Sequence, residues 1–192
     1  MTLLSMSLKE YLQTYTGDKR TTCIQLASPF SLRHTPSDPK DFAFNNRFAV
    51  LPIRLALVDD FQIGFRHIRD AMSAVQKSIT PFAMVFMHKA IMIFPPVLRD
   101  LIMDDFSKRI TFMYTNVAGA TSQTKICGSN SLSQGFFLAP FKTISGTISV
   151  VSYNKKLKIC IAADRSTIKN PERLLKMFYS NLDALFGIGW RF

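Results

Sequence analysis

The sequence predicts a mixed α/β sandwich in which helices pack against a mixed β-sheet. Three observations lead there. The element order reads helix, strands, two helices, strand, hairpin, helix, so strands distant in the chain must share one sheet rather than alternate in βαβ units. The 192 residues suit a single domain, and 47% hydrophobic content with 17 Phe can fill a core, which argues against disorder. Residues 146–163 carry the clearest hairpin signal, so at least one antiparallel pair is expected.

Taken in order, Leu3, Leu4, Leu8, Tyr11, Leu12 and Tyr15 recur at helical spacing, and Gly17-Asp18 closes that first helix. Residues 21–27 form a short strand. Residues 28–46 hold Pro29, Pro36 and Pro39 among Ser and Asp and read as a long connection. Residues 47–57 form a second strand, with Phe48 and Val50 in one register, Ile53, Leu55 and Leu57 in the other, and Pro52 at a bulge or edge position between them.

Asp59 or Asp60 caps a helix whose apolar stripe is Phe61, Phe65, Ile68, Met72, Val75 and Ile79; His67 lies off that stripe. Pro81 opens a helix over 82–94, and Pro95-Pro96 breaks it before a further turn or two. This stretch is rich in Met and Phe, which suit an irregular core or an acyl-chain surface; the core is the expectation, with His88 as a hydrogen-bonded core residue. Its charges and prolines make it too short and polar to span a bilayer, so it reads as a buried or interfacial helix.

Residues 110–117 alternate as a strand and then give way to Val117-Ala118-Gly119-Ala120. Small residues after an apolar strand mean that something passes close to the backbone, either a neighbouring strand or a ligand channel. A long loop over 121–145 holds one short strand near Lys125-Ile126-Cys127. The 146–163 hairpin turns at Asn154-Lys155, where Asn tolerates a positive φ. Asn170-Pro171-Glu172 opens the last helix, with Leu174, Phe178, Leu182 and Leu185 as its stripe. The domain is expected to cover 1–186, with 187–192 as a tail.

The charge is +11 and lopsided: residues 1–60 carry 7 Lys/Arg against 6 Asp/Glu, and residues 61–192 carry 17 against 7. Anionic lipid or an acidic partner would meet that half. The cations are dispersed rather than gathered on a phosphate-reading helix, so nucleic acid is not an expected partner. Cys23, Cys127 and Cys160 form no metal motif or disulfide framework, Cys160 reads as core, and a reducing, intracellular compartment fits. Residues 1–12 show no signal peptide and resemble a mitochondrial presequence only weakly, being poor in Arg. No GxSxG, P-loop, GxGxxG or HExxH occurs, and His34, His67 and His88 lie in unrelated surroundings. No catalytic residue and no bound metal or cofactor is assigned.

Six segments, in order, resemble the C-terminal half of the wax ester synthase / diacylglycerol acyltransferase family, from Met1 to about Phe186. They are SMSLKEYLQTYTG at 5–17, PFSLR at 29–33, Asn46-Arg47-Phe48, Thr115-Asn116-Val117-Ala118-Gly119, Ser152-Tyr153-Asn154 and Ala163-Asp164. The resemblance implies the chloramphenicol-acetyltransferase-like, coenzyme-A-dependent acyltransferase fold, of which this would be one half. It implies Asn46, Asn116, Val117, Gly119, Ser152 and Tyr153 as motif or substrate-channel positions. The family's HHxxxDG motif, which supplies the catalytic histidine, belongs to its N-terminal half and is not in these residues. Ala118 and Ala120 stand where the family has two prolines, and Lys155 where it has a hairpin glycine.

Two functions follow as expectations. The first is a non-catalytic acyltransferase-like domain serving as a structural or interaction subunit of a larger membrane-associated complex, mitochondrial or at an endoplasmic-reticulum or lipid surface. Other protein subunits would cover its open half-tunnel face. The second is the C-terminal half of an acyltransferase whose HHxxxDG half lies on another chain or upstream, with acyl-coenzyme A as substrate. Acyl-chain binding without turnover is a third reading.

Overall fold

The computed structural model describes residues 1–33, 38, 40 and 48–187. Helix α1, Thr2–Tyr11, runs on into a π-helical turn, Leu12–Thr16, that ends at Gly17 in the left-handed region (φ 68°). Strands β1, Cys23–Ser31, and β2, Phe48–Ala56, follow. Helices α2, Phe61–Lys77, α3, Thr80–Ile93, and α4, Pro96–Lys108, lead to β3, Phe112–Ala118. A small two-stranded ribbon, β4 Lys125–Ile126 and β5 Ser129–Asn130, precedes β6, Gly146–Tyr153, β7, Lys156–Ala163, and α5, Pro171–Phe186.

Five strands share one mixed sheet in the order β2-β1-β3-β6-β7. The β1–β2 and β6–β7 pairs are antiparallel; β3 lies parallel to both β1 and β6. The two antiparallel pairs close locally, while the central parallel strands join segments far apart in sequence. Asn154 and Lys155 both take positive φ (47° and 61°), the geometry of a two-residue turn whose twist matches the flanking strands.

Helices α1 and α5 cover one face of the sheet. Leu4, Leu8 and Tyr11 of α1 and Leu174 and Phe178 of α5 pack over Ile24, Leu26, Leu55, Phe112 and Ile148. Polar contacts fix these helices in place. The Ser5 hydroxyl donates to the Ala56 carbonyl and accepts from the Val58 amide at 3.1 Å, tying α1 to the end of β2. Asn181 of α5 donates to the Ser7 hydroxyl of α1 at 3.1 Å. A smaller cluster on the other face joins Ala27, Ile110 and Ile144 to Val50, Phe106 and Met113. Cys160 is buried, as its apolar neighbours predict.

Several expectations need correction. Strand β1 continues to Ser31, so Pro29 belongs to a strand and not to the connection. Strand β2 keeps one register throughout: Ala49, Leu51, Ile53 and Leu55 all face inward and its pairing with β1 is continuous. Pro52 makes no bulge; it points outward on an edge strand, where its missing N–H costs least. Asp60, not Asp59, caps α2 by accepting from the Ile63 amide at 2.8 Å. Asn170 stands at the start of α5 but makes no side-chain cap bond. Helix α3 is not core: Phe82, Phe86, Met92 and Ile93 are 65–85% exposed. Its long apolar run looks buried in sequence because it is apolar on every face, yet it packs only one face on β2.

Candidate functional site at the carboxyl ends of the parallel strands

The motif residues converge on the ends of β3 and β6. The two strands pair from Phe112↔Gly146 to Ala118↔Ser152, which brings Asn116 level with Val150, and Val117 with Val151. Beyond the strand the Gly119 amide donates to the Ser152 carbonyl at 2.8 Å, and the Asn154 amide donates to the Ala120 carbonyl at 2.8 Å. A Cβ at residue 119 would come within 2.3 Å of the Ser152 oxygen. The small residues there are therefore explained by a strand end packed on its neighbour.

Tyr153 anchors the same end from the opposite sheet face. Its phenol accepts from the Thr124 amide at 3.0 Å, shares a bond with the Thr124 hydroxyl at 3.2 Å and donates to the Ser131 carbonyl at 3.0 Å. The Thr124 hydroxyl, with the Thr124 amide next, holds that phenol below its ordinary pKa. Asn116 and Ser152 share one sheet face, whereas Val117 and Tyr153 share the other; Asn116 and Val117 are exposed. The chain thus brings together five of the six expected positions. Asn46 lies outside the described residues, as does His34.

Sequence reasoning missed the shape of this end. Strands β1 and β3 pair only at Leu26↔Phe112 and Ala27↔Met113. Past that point β1 stays with β2 to Ser31↔Phe48, and β3 stays with β6 to Ala118↔Ser152. The sheet forks, and the fork opens at the carboxyl ends of its parallel strands. In open α/β sheets ligands enter at such ends. Only the register of a long-range pairing reveals a fork, and no local pattern encodes it.

Neither described histidine stands at the β3–β6 end. His67 is exposed on α2 beside an open cleft with Arg54 and Asp70, at the amino end of β1. His88 gives its Nδ1 to the Met84 carbonyl, 2.8 Å away, and lines a cleft with Phe48 and Lys89 against the edge strand β2. A further cavity of about 320 Å³ lies at the amino ends of the parallel strands, among Leu8, Tyr11, Ile24 and Phe112. Among the described residues no cluster of His, Cys, Asp and Glu is placed to hold a metal ion.

This arrangement has a family. The profile of the WS/DGAT C-terminal domain matches residues 45–186. The chain belongs to the WS/DGAT C-terminal domain family. Its fold agrees with that membership. The wax ester synthase/diacylglycerol acyltransferase from Marinobacter aquaeolei VT8 superposes with a TM-score of 0.59 at 12% identity, over 97% of this chain and 43% of that one. The epimerization domain of the third module of tyrocidine synthetase B gives a TM-score of 0.56 at 12% identity, over 94% and 39%. The condensation domain that mediates chain release from the enacyloxin polyketide synthase gives 0.54 at 13%, over 95% and 34%. The fold is one half of the chloramphenicol-acetyltransferase-like scaffold, and the chain spans less than half the length of each of these structures. No curated protein sequence matches it.

Proposed function

We propose that this WS/DGAT C-terminal domain forms one wall of an O-acyltransferase channel whose proton-abstracting histidine comes from an HHxxxDG-bearing half. The family match over residues 45–186 carries this reading. In the proposed reaction the acceptor hydroxyl loses its proton to that histidine. The oxygen attacks the thioester carbonyl of acyl-coenzyme A, and coenzyme A leaves as the thiol, so the oxygen ester forms as the thioester breaks. This chain's contribution is placement. The fork between β1 and β3 admits the substrate, Asn116 and Ser152 offer polar groups at its rim, and the Gly119–Ser152 contact holds that rim rigid.

Mixing the chain with an HHxxxDG-bearing half and following thiol release from long-chain acyl-coenzyme A tests the proposal. Turnover that needs both parts, and falls roughly tenfold or more when Gly119→Val splays the rim, is the expected result. A tight complex that never turns over would overturn it. That outcome supports the second reading, a non-catalytic interaction subunit of a membrane-associated complex. The observation favouring that reading is Ala118 and Ala120 in place of the family's prolines.

A further inference from the structure

Helix α3 carries a second apolar face, turned away from the sheet. Ile79, Phe82, Phe86 and Ile93 follow one another at steps of three, four and seven, which places them on a single side of the helix. They are 79%, 65%, 75% and 85% exposed. Lys89 is exposed at the border between this row and the cleft against β2. The opposite side, with Pro81 buried and Val85, His88 and Ile91 half-buried, faces β2. A stripe of this kind is rare on a protein that meets only water.

The charges beside it say what covers it. Residues 71–99 contain Lys77, Lys89 and Arg99 and no Asp or Glu. The acids that follow on α4 are partly matched within the domain: Lys142 meets Asp104 at 2.6 Å and, more loosely, Asp100 at 3.9 Å, and Arg109 meets Asp105 at 3.0 Å, so two cations face three carboxylates. An apolar row beside Lys77, Lys89 and Arg99, in a part of the sequence (61–192) that carries 17 Lys/Arg against 7 Asp/Glu, complements a lipid surface of negative charge. The acyl region takes the Phe and Ile side chains, while the lysines reach the head groups. Helix α3 has 14 residues, and no described helix is long and apolar enough to cross a membrane, so it would lie in the plane of the interface.

We infer that the outer face of α3 is an in-plane docking surface for anionic lipid bilayers, with Phe82, Phe86 and Ile93 as its anchors and Lys89 as its head-group contact. This inference is independent of the acyl-transfer reading, since it uses the β2 edge of the sheet and not the fork.

Sedimentation of the whole chain with vesicles of phosphatidylcholine alone, and with vesicles of equimolar phosphatidylcholine and phosphatidylglycerol, tests it. Binding to the mixed vesicles, weakened by salt and much reduced on the neutral ones, is expected. The double variant F82S/F86S should lose roughly tenfold or more of that binding, and K89E should weaken it in the same direction. All these side chains are exposed, so an unchanged thermal melt confirms that the variants fold. As a second readout, Phe86→Trp in a Trp190→Phe background should shift its emission to the blue on the mixed vesicles only. If the chain ignores the mixed vesicles, or if F82S/F86S binds them as the parent does, the inference falls. Protection of the Phe86→Trp probe by a protein partner, with no response to vesicles, would likewise overturn it.

Discussion

The Gly119 amide donates to the Ser152 carbonyl at 2.8 Å, and a side chain on Gly119 would strike that same oxygen. One contact therefore both locks the end of β3 to β6 and forbids every residue but glycine. Gly119→Ala would push the two strand ends apart or bend the turn. We expect a loss of about 1–3 kcal/mol, read as a lower denaturant midpoint at unchanged slope. An alanine variant as stable as the parent would show that the strand ends are free to part.

Tyr153→Phe tests the clasp on the opposite face. It removes the hydroxyl that serves Thr124 and Ser131 and leaves the ring packed. The expected loss is about 1 kcal/mol, because the half-buried Thr124 amide loses its partner while the Ser131 carbonyl keeps the Gln123 side-chain amide at 3.2 Å. Hydrogen exchange should localise the effect, with the Thr124 amide exchanging faster and the amides within β6 unchanged.

The hairpin and the last helix were legible in the sequence because their signals are local. Asn154 stands in a turn that needs positive φ, and the Leu174, Phe178, Leu182 and Leu185 stripe falls on α5, which Gly187 ends in the left-handed region. The close approach at Gly119 was legible too, since small residues after a strand leave few physical explanations. Two features were not. The β1–β3 fork depends on which residues of distant strands pair, and Leu26 and Phe112 carry no mark of being partners. Helix α3 misled because Phe and Met report hydrophobicity and not whether the fold has anything to set against them. Strand β2 misled differently: Pro52 suggested a break in register, but proline fits the outward position of an edge strand without one.

Ser149 supplies a test of opposite sign. Its hydroxyl is buried between Thr115 and Cys160 on neighbouring strands and is the one such oxygen among the described residues with no hydrogen-bond partner. Removing an unpaired buried polar group relieves a desolvation cost. Ser149→Ala should therefore leave stability unchanged or raise it by up to about 1 kcal/mol. Ser149→Val adds volume to a closed layer and should destabilise the domain. If Ser149→Ala proves clearly destabilising, the hydroxyl has a partner after all.

Asp164 ties the end of the hairpin to the loop before α5, and its protonation should be visible in acid. Its two carboxylate oxygens accept from the Ser166 amide at 2.9 Å and the Ser166 hydroxyl at 2.8 Å. Those bonds, the amide first, hold its pKa below the ordinary 3.8. A carboxylate depressed on folding contributes stability that is fully present above its unfolded value and is lost as pH falls through its folded value. The unfolded chain takes up that proton first, so stability should decline below about pH 4 with Asp164 as one contributor. Asp164→Asn should shallow the acid slope while leaving the Ser145 bond to the Asp164 backbone amide, 2.8 Å, in place. The check is a pair of denaturation series across the acid range. Parallel slopes for parent and variant would remove Asp164 from the account, and a shallower slope for Asp164→Asn would assign that part of the acid sensitivity to this turn.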